Sequence, residues 1–165
     1  MWSREAATAS ENAMGSFTRL TYHFIFATKY RSPSITHPLQ ERLYEYVGGI
    51  LRAKKGHLIE IGGIADHIHI LTELSPSFAV ADVIRDVKAN SSKWMNAQLE
   101  IKQFFEWQKG SGAFTVSYSL RHSVQKYIQN QEEHHKKRTF REEYLDLLNK
   151  FEIEFQNEYV FEFYE

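Results

Sequence analysis

The stretch Ala65-Asp66-His67-Ile68-His69-Ile70-Leu71, inside the apolar run from Ile64 to Leu74, decides how this chain is read. Successive side chains of an extended strand alternate faces, so His67 and His69 point the same way while Ile68 and Ile70 pack behind them. One strand thus offers two imidazoles to a single cation. Two rings on a strand make a metal site only with a third ligand, and that ligand has to come from elsewhere in the chain.

Ser123 to His135 reads as a polar helix with few breakers. Tyr127 and Gln131 are four residues apart, which sets them one above the other on a helix, about 5–6 Å between Cβ atoms. A phenol and an amide oxygen therefore share a face. His134, on the same helix side, or Glu132 are the other candidates for the third ligand.

The composition narrows the chemistry. At 165 residues the chain is one domain's worth, and its 42% hydrophobic and 15% aromatic content is that of a folded protein. Having no cysteine, it can form no disulfide, thiolate nucleophile or thiolate zinc site, and it suits a reducing cytosol. Any nucleophile is an oxygen or a nitrogen. No stretch approaches the roughly 20 apolar residues that span a bilayer, and the N-terminus lacks the apolar core of a secretory signal. A soluble cytoplasmic protein is expected. Residues 1–15, small and polar with an internal Met14, read as a disordered leader or expression remnant outside the domain.

The net charge of −1 hides a segregation. From Glu142 onward there are eight acidic residues and one lysine, so the preceding part carries a net +6. A basic body suits phosphate neutralisation, the main source of non-specific affinity for nucleic acid.

Hydrophobic periodicity gives the element order. Thr18 to Tyr30 is a β-branched and aromatic strand; Leu39 to Lys54 is an amphipathic helix with Leu43, Tyr46, Val47 and Ile50 at helical spacing. Leu58 to Ile64 and His67 to Leu74 form an antiparallel hairpin. A second helix runs from Phe78 to Glu100, with Val80, Val83, Ile84 and Val87 on one face. Ala113 to Ser119 is a further strand, followed by the tyrosine helix from Leu120 to His135. This β-α-β-β-α-β order predicts an α+β fold, a ferredoxin-like antiparallel sheet with helices packed on it. Phe151 to Phe163 alternates aromatic and acidic residues and reads either as a strand pair or as an amphipathic segment packing on a domain of residues 16–150.

With His67-Ile68-His69 as a histidine, bulky hydrophobic, histidine triplet, the chain resembles the HUH-type single-tyrosine transposases. These short enzymes move minimal bacterial insertion sequences as single-stranded DNA, and they have domesticated, repeat-associated relatives. Tyr22 to Arg31 resembles the family's opening strand, Trp107 to Ser117 its aromatic-glycine segment, and Tyr127, Gln131 and His134-His135 its tyrosine helix. Together these span Thr21 to Phe140 in the family's order.

The resemblance implies a metal-dependent single-strand DNA transposase with Tyr127 as nucleophile and His67, His69 and Gln131 as metal ligands. Tyr127 would attack a DNA phosphate, form a 5′-phosphotyrosine and release a 3′-OH that later reverses the step, so no nucleotide cofactor is needed. Two imidazoles and an amide, with no carboxylate, suit Mg²⁺ or Mn²⁺ only when DNA phosphate completes the shell, so weak binding without substrate is expected. The cation would polarise the scissile phosphate. Gly62-Gly63 and Gly110-Ser111-Gly112 fit neither nucleotide-binding fingerprint.

For DNA contact, Arg85, Lys88 and Ser92 lie three and four residues apart on the second helix. The Lys88-Ala89-Asn90-Ser91-Ser92 run resembles the family's lysine and paired-serine stretch, and Lys126 precedes the tyrosine. Lys136, Lys137, Arg138 and Arg141 are either a phosphate-binding cluster or a basic turn that complements a helix dipole. The implied partners are single-stranded DNA with hairpin ends and a second copy of the chain in a homodimer, with Tyr127 acting in cis or in trans. Two other classes compete: a domesticated protein that binds hairpin repeats with reduced catalysis, and a metal-dependent phosphodiesterase in which water attacks.

Overall fold

A computed structural model describes residues 17–161. Strand β1 (Thr21–Ala27) leads through a 3₁₀ turn at Lys29–Arg31 into helix α1 (His37–Ala53). Pro38 sits in the first turn of α1, where a missing N–H costs nothing. Strands β2 (His57–Ile64) and β3 (His67–Glu73) form an antiparallel hairpin, and helix α2 (Val80–Asn96) follows. Strand β4 (Gly112–Thr115) precedes four helices: α3 (Arg121–Gln129), α4 (Gln131–His135), α5 (Phe140–Lys150) and the short α6 (Asn157–Val160).

The strand order is β2-β3-β1-β4, with every neighbouring pair antiparallel, which is the ferredoxin-like arrangement expected from the element order. Strand alternation divides the core in two. Phe24, Phe26, Ile68 and Ile70 face α1 and α2, meeting Leu39, Leu43, Val47, Leu51, Val83, Val87 and Met95. Ile25, Ala27 and Phe114 belong to a second cluster with Phe140, Leu148, Val160 and Phe161. His67 and His69, out of phase with Ile68 and Ile70, lie on this second side.

Several boundaries differ from the sequence reading. The first strand stops at Ala27, because Tyr30 (φ 57°) and Arg31 (φ 56°) adopt left-handed backbone that no strand continues through. The second helix is trimmed to Val80–Asn96 and the fourth strand to Gly112–Thr115. The tyrosine helix is broken at Asn130, which ends α3 and begins α4.

Helix α5 was not foreseen. Thr139 opens it with a capping box, its hydroxyl accepting from the Glu142 N–H while the Glu142 carboxylate accepts from the Thr139 N–H. Residues 136–139 are therefore a helix junction, and Arg141 lies in the first turn of α5 and not at the end of the tyrosine helix. The alternating segment after Phe151 forms no strand among the described residues: Phe151 and Ile153 stay exposed, whereas Val160 and Phe161 are buried in the second cluster. The expected leader and residues 162–165 lie outside the described residues.

Gly62 has a packing function. It pairs with His69 across the hairpin, and a Cβ added there would stand 2.5 Å from the Ile128 carbonyl oxygen of α3. Backbone of α3 thus rests directly on β2, opposite a histidine of the pair. Gly62→Ala must lift α3, an overpacking cost of about 1–3 kcal/mol. At this chain length that lowers the melting temperature by about 2–4 °C per kcal/mol, measurable by thermal unfolding. An unchanged melting temperature would show that α3 does not sit this close.

Candidate active site

His67 and His69 are fully buried on β3. The His67 ring stacks on Phe140 of α5 at 3.9 Å between centroids and 12° between planes. Its Nδ1 lies 2.7 Å from Asp66 Oδ1. Burial opposes charge on Asp66, but the His67 hydrogen bond, His67 and Arg31 outweigh it and hold the carboxyl below its ordinary range. Asp66 is thus an acceptor and Nδ1 the donor to it, which leaves Nε2 as the nitrogen whose lone pair is available in that tautomer.

Arg31 reaches Asp66 at 3.5 Å, and its guanidinium also lies over the Phe140 and Phe161 rings. The left-handed turn at Tyr30 and Arg31 aims the cation at this carboxylate.

His67 Nε2 lies 3.1 Å from Gln131 Oε1. The amide orientation is set by its nitrogen, which donates to Glu143 Oε2 at 3.2 Å. His135 Nδ1 donates to the Arg138 carbonyl at 2.9 Å, and its Nε2 lies 2.9 Å from the same Gln131 oxygen. With both rings neutral, three lone pairs converge with no hydrogen between them. A proton on His135 is one remedy: burial lowers that pKa, but the Glu143 hydrogen bond and charge outweigh it and raise it overall. A bound cation is the other.

His69 is tied down on both nitrogens. Burial pushes its pKa down to about 4, so it is neutral at pH 7. With the proton on Nε2 it donates to Glu143 Oε1 at 2.9 Å; in the other tautomer Nδ1 donates to His23 Nε2 at 2.8 Å and Nε2 is left free for a cation. His23 is also buried, with its pKa driven down to about 3 by burial.

The Glu143 carboxylate is 2% exposed and touches nearly every group in the site. Oε1 lies 2.9 Å from His69 Nε2, 3.5 Å from His135 Nε2 and 3.7 Å from His67 Nε2. Oε2 accepts from the Tyr127 phenol and the Gln131 amide, and lies 3.0 Å from His134 Nε2. Burial favours the protonated acid, but hydrogen bonds from His135 and His69 prevail and hold it far below the usual carboxylate range. Tyr127 moves the opposite way, its pKa raised by burial and then by Glu143. Its ring stands edge-on to His69, 5.8 Å between centroids.

The sequence-derived candidates therefore sort clearly. Tyr127, His67, His69 and Gln131 are brought together within one chain. Glu132 is exposed and turned toward His37, at 3.9 Å, whereas His134 approaches both the phenol and Glu143.

The DNA-contact candidates are not gathered here. Arg85, Lys88, Ser91 and Ser92 ride on α2, which covers the opposite face of the sheet. Ser91 is corrected to a packing residue: it is fully buried, donates to the Val87 carbonyl and accepts from Trp107 Nε1. Lys88 Nζ donates to the Gln108 and Gly110 carbonyls and pins the loop before β4. Arg85 is exposed and paired with Asp82 and Asp86, and Lys126 is exposed beside the tyrosine.

Asp66, His23, His135 and Glu143 were missed as site residues. Asp66 adjoins the triplet, but its place in a turn hid it. Glu143 was absorbed into the acidic tail, although the Thr139-Phe140-Arg141-Glu142 capping pattern marks a new helix that delivers it.

A buried pair of imidazoles beside a phenol and a carboxylate, on a ferredoxin-like sheet, is a set of groups that could hold a cation next to a nucleophile. The sequence profile described as "Transposase IS200 like" matches residues 16–131. The chain belongs to this IS200-like transposase family, whose members cleave DNA.

It is 28% identical to the ISDra2 transposase TnpA of Deinococcus radiodurans over 122 residues, covering 71% of this chain and 87% of that protein. It is 31% identical to the transposase for insertion sequence element IS200 of Salmonella typhimurium over 124 residues, 70% and 78% of the respective chains. A crystal structure from Deinococcus radiodurans R1, described as a transposase, superposes with a TM-score of 0.59 at 28% identity, covering 71% of this chain and 94% of that one. A REP-associated tyrosine transposase bound to a REP hairpin shares the fold at a TM-score of 0.57 and 13% identity, covering 73% and 71%.

Asp66→Ala removes the acceptor that fixes the His67 tautomer. Such outer partners typically contribute 10–100-fold in metal affinity. The variant is expected to bind Mn²⁺ at least about tenfold more weakly in an electron paramagnetic resonance titration. Wild-type affinity would show that the His67 lone pair is set by something other than Asp66.

Proposed function

We propose that the protein cleaves and rejoins single-stranded DNA through a 5′-phosphotyrosine on Tyr127, with His67, His69 and Gln131 as ligands of Mg²⁺ or Mn²⁺. One observation carries this reading: the Tyr127 phenol and the His67–His69 pair meet at the same carboxylate of the same chain. The family supplies the reaction class, and the convergent lone pairs of His67 and Gln131 suit a divalent cation.

A cation held there supplies Lewis-acid polarisation of the scissile phosphate. Everything else falls to the chain's own groups. Burial keeps His69 neutral, and Asp66 keeps the His67 Nε2 lone pair facing inward. The edge of the His69 ring and Glu143 Oε2 hold the phenol in one orientation. In the transfer, the Tyr127 oxygen bonds to phosphorus and the P–O3′ bond breaks, its electron pair leaving on the 3′ oxygen. The phenol proton has two acceptors within reach, Glu143 Oε2 and neutral His134 at 3.5 Å. The phosphotyrosine keeps the energy of the broken bond, so rejoining needs no external cofactor.

Single-stranded DNA with hairpin ends is the proposed substrate. Arg85, Lys88, Ser92 and Lys126 remain the proposed DNA contacts, and cytoplasmic location belongs to the same reading. No helix among the described residues is long and apolar enough to cross a membrane. A homodimer is part of the same proposal, with Tyr127 acting in cis or in trans; the contact of Tyr127 with its own chain's His69 supports the cis arrangement.

The test is incubation with labelled single-stranded hairpin pools and Mg²⁺ or Mn²⁺, followed by denaturing electrophoresis. A metal-dependent protein–DNA adduct is expected for wild type and lost in Tyr127→Phe and in His67→Ala. Cleavage that survives Tyr127→Phe would replace transesterification with hydrolysis. Binding to hairpins without cleavage would leave a repeat-binding protein.

Mixing the two variants tests the placement of the tyrosine. Acting in cis, the mixture stays inactive; recovery of adduct formation would mean that subunits exchange their tyrosine helices.

A further inference from the structure

The profile match ends at Gln131, yet the most connected side chain of the site is Glu143, from a helix beyond it. We propose that Glu143 is itself a metal ligand, which lets the protein hold its divalent cation before DNA arrives. This rests on the metal-dependent reading above and extends it, because two imidazoles and an amide bring no charge to the cation.

Three observations carry the assignment. First, ligand atoms of His67, His135 and Glu143 all lie within 4.8 Å of one another. Adjacent ligands around an octahedral cation at about 2.1 Å stand about 3.0 Å apart. The separations fit such a polyhedron: 2.9 Å from Glu143 Oε1 to His69 Nε2, 3.5 Å to His135 Nε2 and 3.7 Å to His67 Nε2, with 3.1 Å from His67 Nε2 to Gln131 Oε1.

Second, the carboxylate divides its oxygens. Oε2 takes the phenol and the Gln131 amide, whereas Oε1 looks only toward imidazoles. An oxygen facing three ring nitrogens is placed as they are, toward a shared centre. Third, the Glu143 side chain is 2% exposed, and a carboxylate so enclosed is held by paired donors or by a metal ion. Opposite charge in a dry site is worth more than in water, so a divalent cation answers this demand directly.

Helix α5 is built to deliver this ligand. Phe140 stacks on His67, and Phe161 packs its ring 5.4 Å from Phe140 and 5.6 Å from Tyr144. Phe161 thus clamps the helix that carries the carboxylate. His135 Nε2 accompanies it from α4.

The experiment is a Mn²⁺ titration of the full chain without DNA, read by electron paramagnetic resonance, for wild type, Glu143→Gln, Glu143→Ala and His67→Ala. Thermal melting of each variant identifies any that fails to fold, and Glu143→Gln keeps the shape of the side chain. One tight site is expected in wild type. Affinity should drop at least about tenfold in both folded Glu143 variants and also in His67→Ala. Unchanged or tighter Mn²⁺ binding in Glu143→Gln, with loss in His67→Ala, overturns the role of Glu143 and leaves the histidine site standing; Glu143 is then an internal occupant of the centre. Unchanged binding in His67→Ala defeats the underlying metal reading.

Discussion

A carboxylate buried among imidazoles is the constraint around which the rest of this protein is arranged. Glu143 is ionised at 2% exposure, an expensive condition that only a dense set of donors can sustain. His69, Gln131 and Tyr127 donate to it, and His134 and His135 approach it. These groups come from β3, α3 and α4, so satisfying one side chain of α5 fixes the mutual placement of four elements. Breaking the set would leave an unpaired buried charge.

The sheet separates two kinds of work. On one face, α1 and α2 close over Phe24, Phe26, Ile68 and Ile70 and supply most of the apolar burial. On the other, polar groups share space with a smaller cluster of Phe114, Phe140 and Phe161. The alternation of β3 makes this division possible: Ile68 and Ile70 anchor the strand while His67 and His69 are left for chemistry. Basic residues on α2 consequently lie across the sheet from the phenol. DNA reaching both sides would have to pass around an edge.

Strand alternation and the four-residue step on the tyrosine helix were legible because they are local. The period of β3 put both histidines on one face, and the spacing of Tyr127 and Gln131 put phenol and amide together. The sheet order also followed from the element order. Glu143 was not legible for a long-range reason: nothing near it in sequence says that α5 folds back on β3, and its acidic neighbours suggested a solvated tail. Helix continuity across Asn130 was misjudged because polar residues without proline or glycine give no break signal. Left-handed backbone at Tyr30 and Arg31 is equally silent, since neither residue type favours it, yet it aims Arg31 at Asp66.

The contact between His69 and Glu143 spans 74 residues of chain, and the residues between them build α2, β4, α3 and α4. Such a distant pairing forms late, because the loop it closes must already be organised. The set is thus completed only when α5 docks beneath the histidines. A half-folded or growing chain has the tyrosine but not its surroundings. Closure of this cluster of side chains is therefore tied to the docking of α5, and a chain that lacks that helix has the tyrosine without its carboxylate partner.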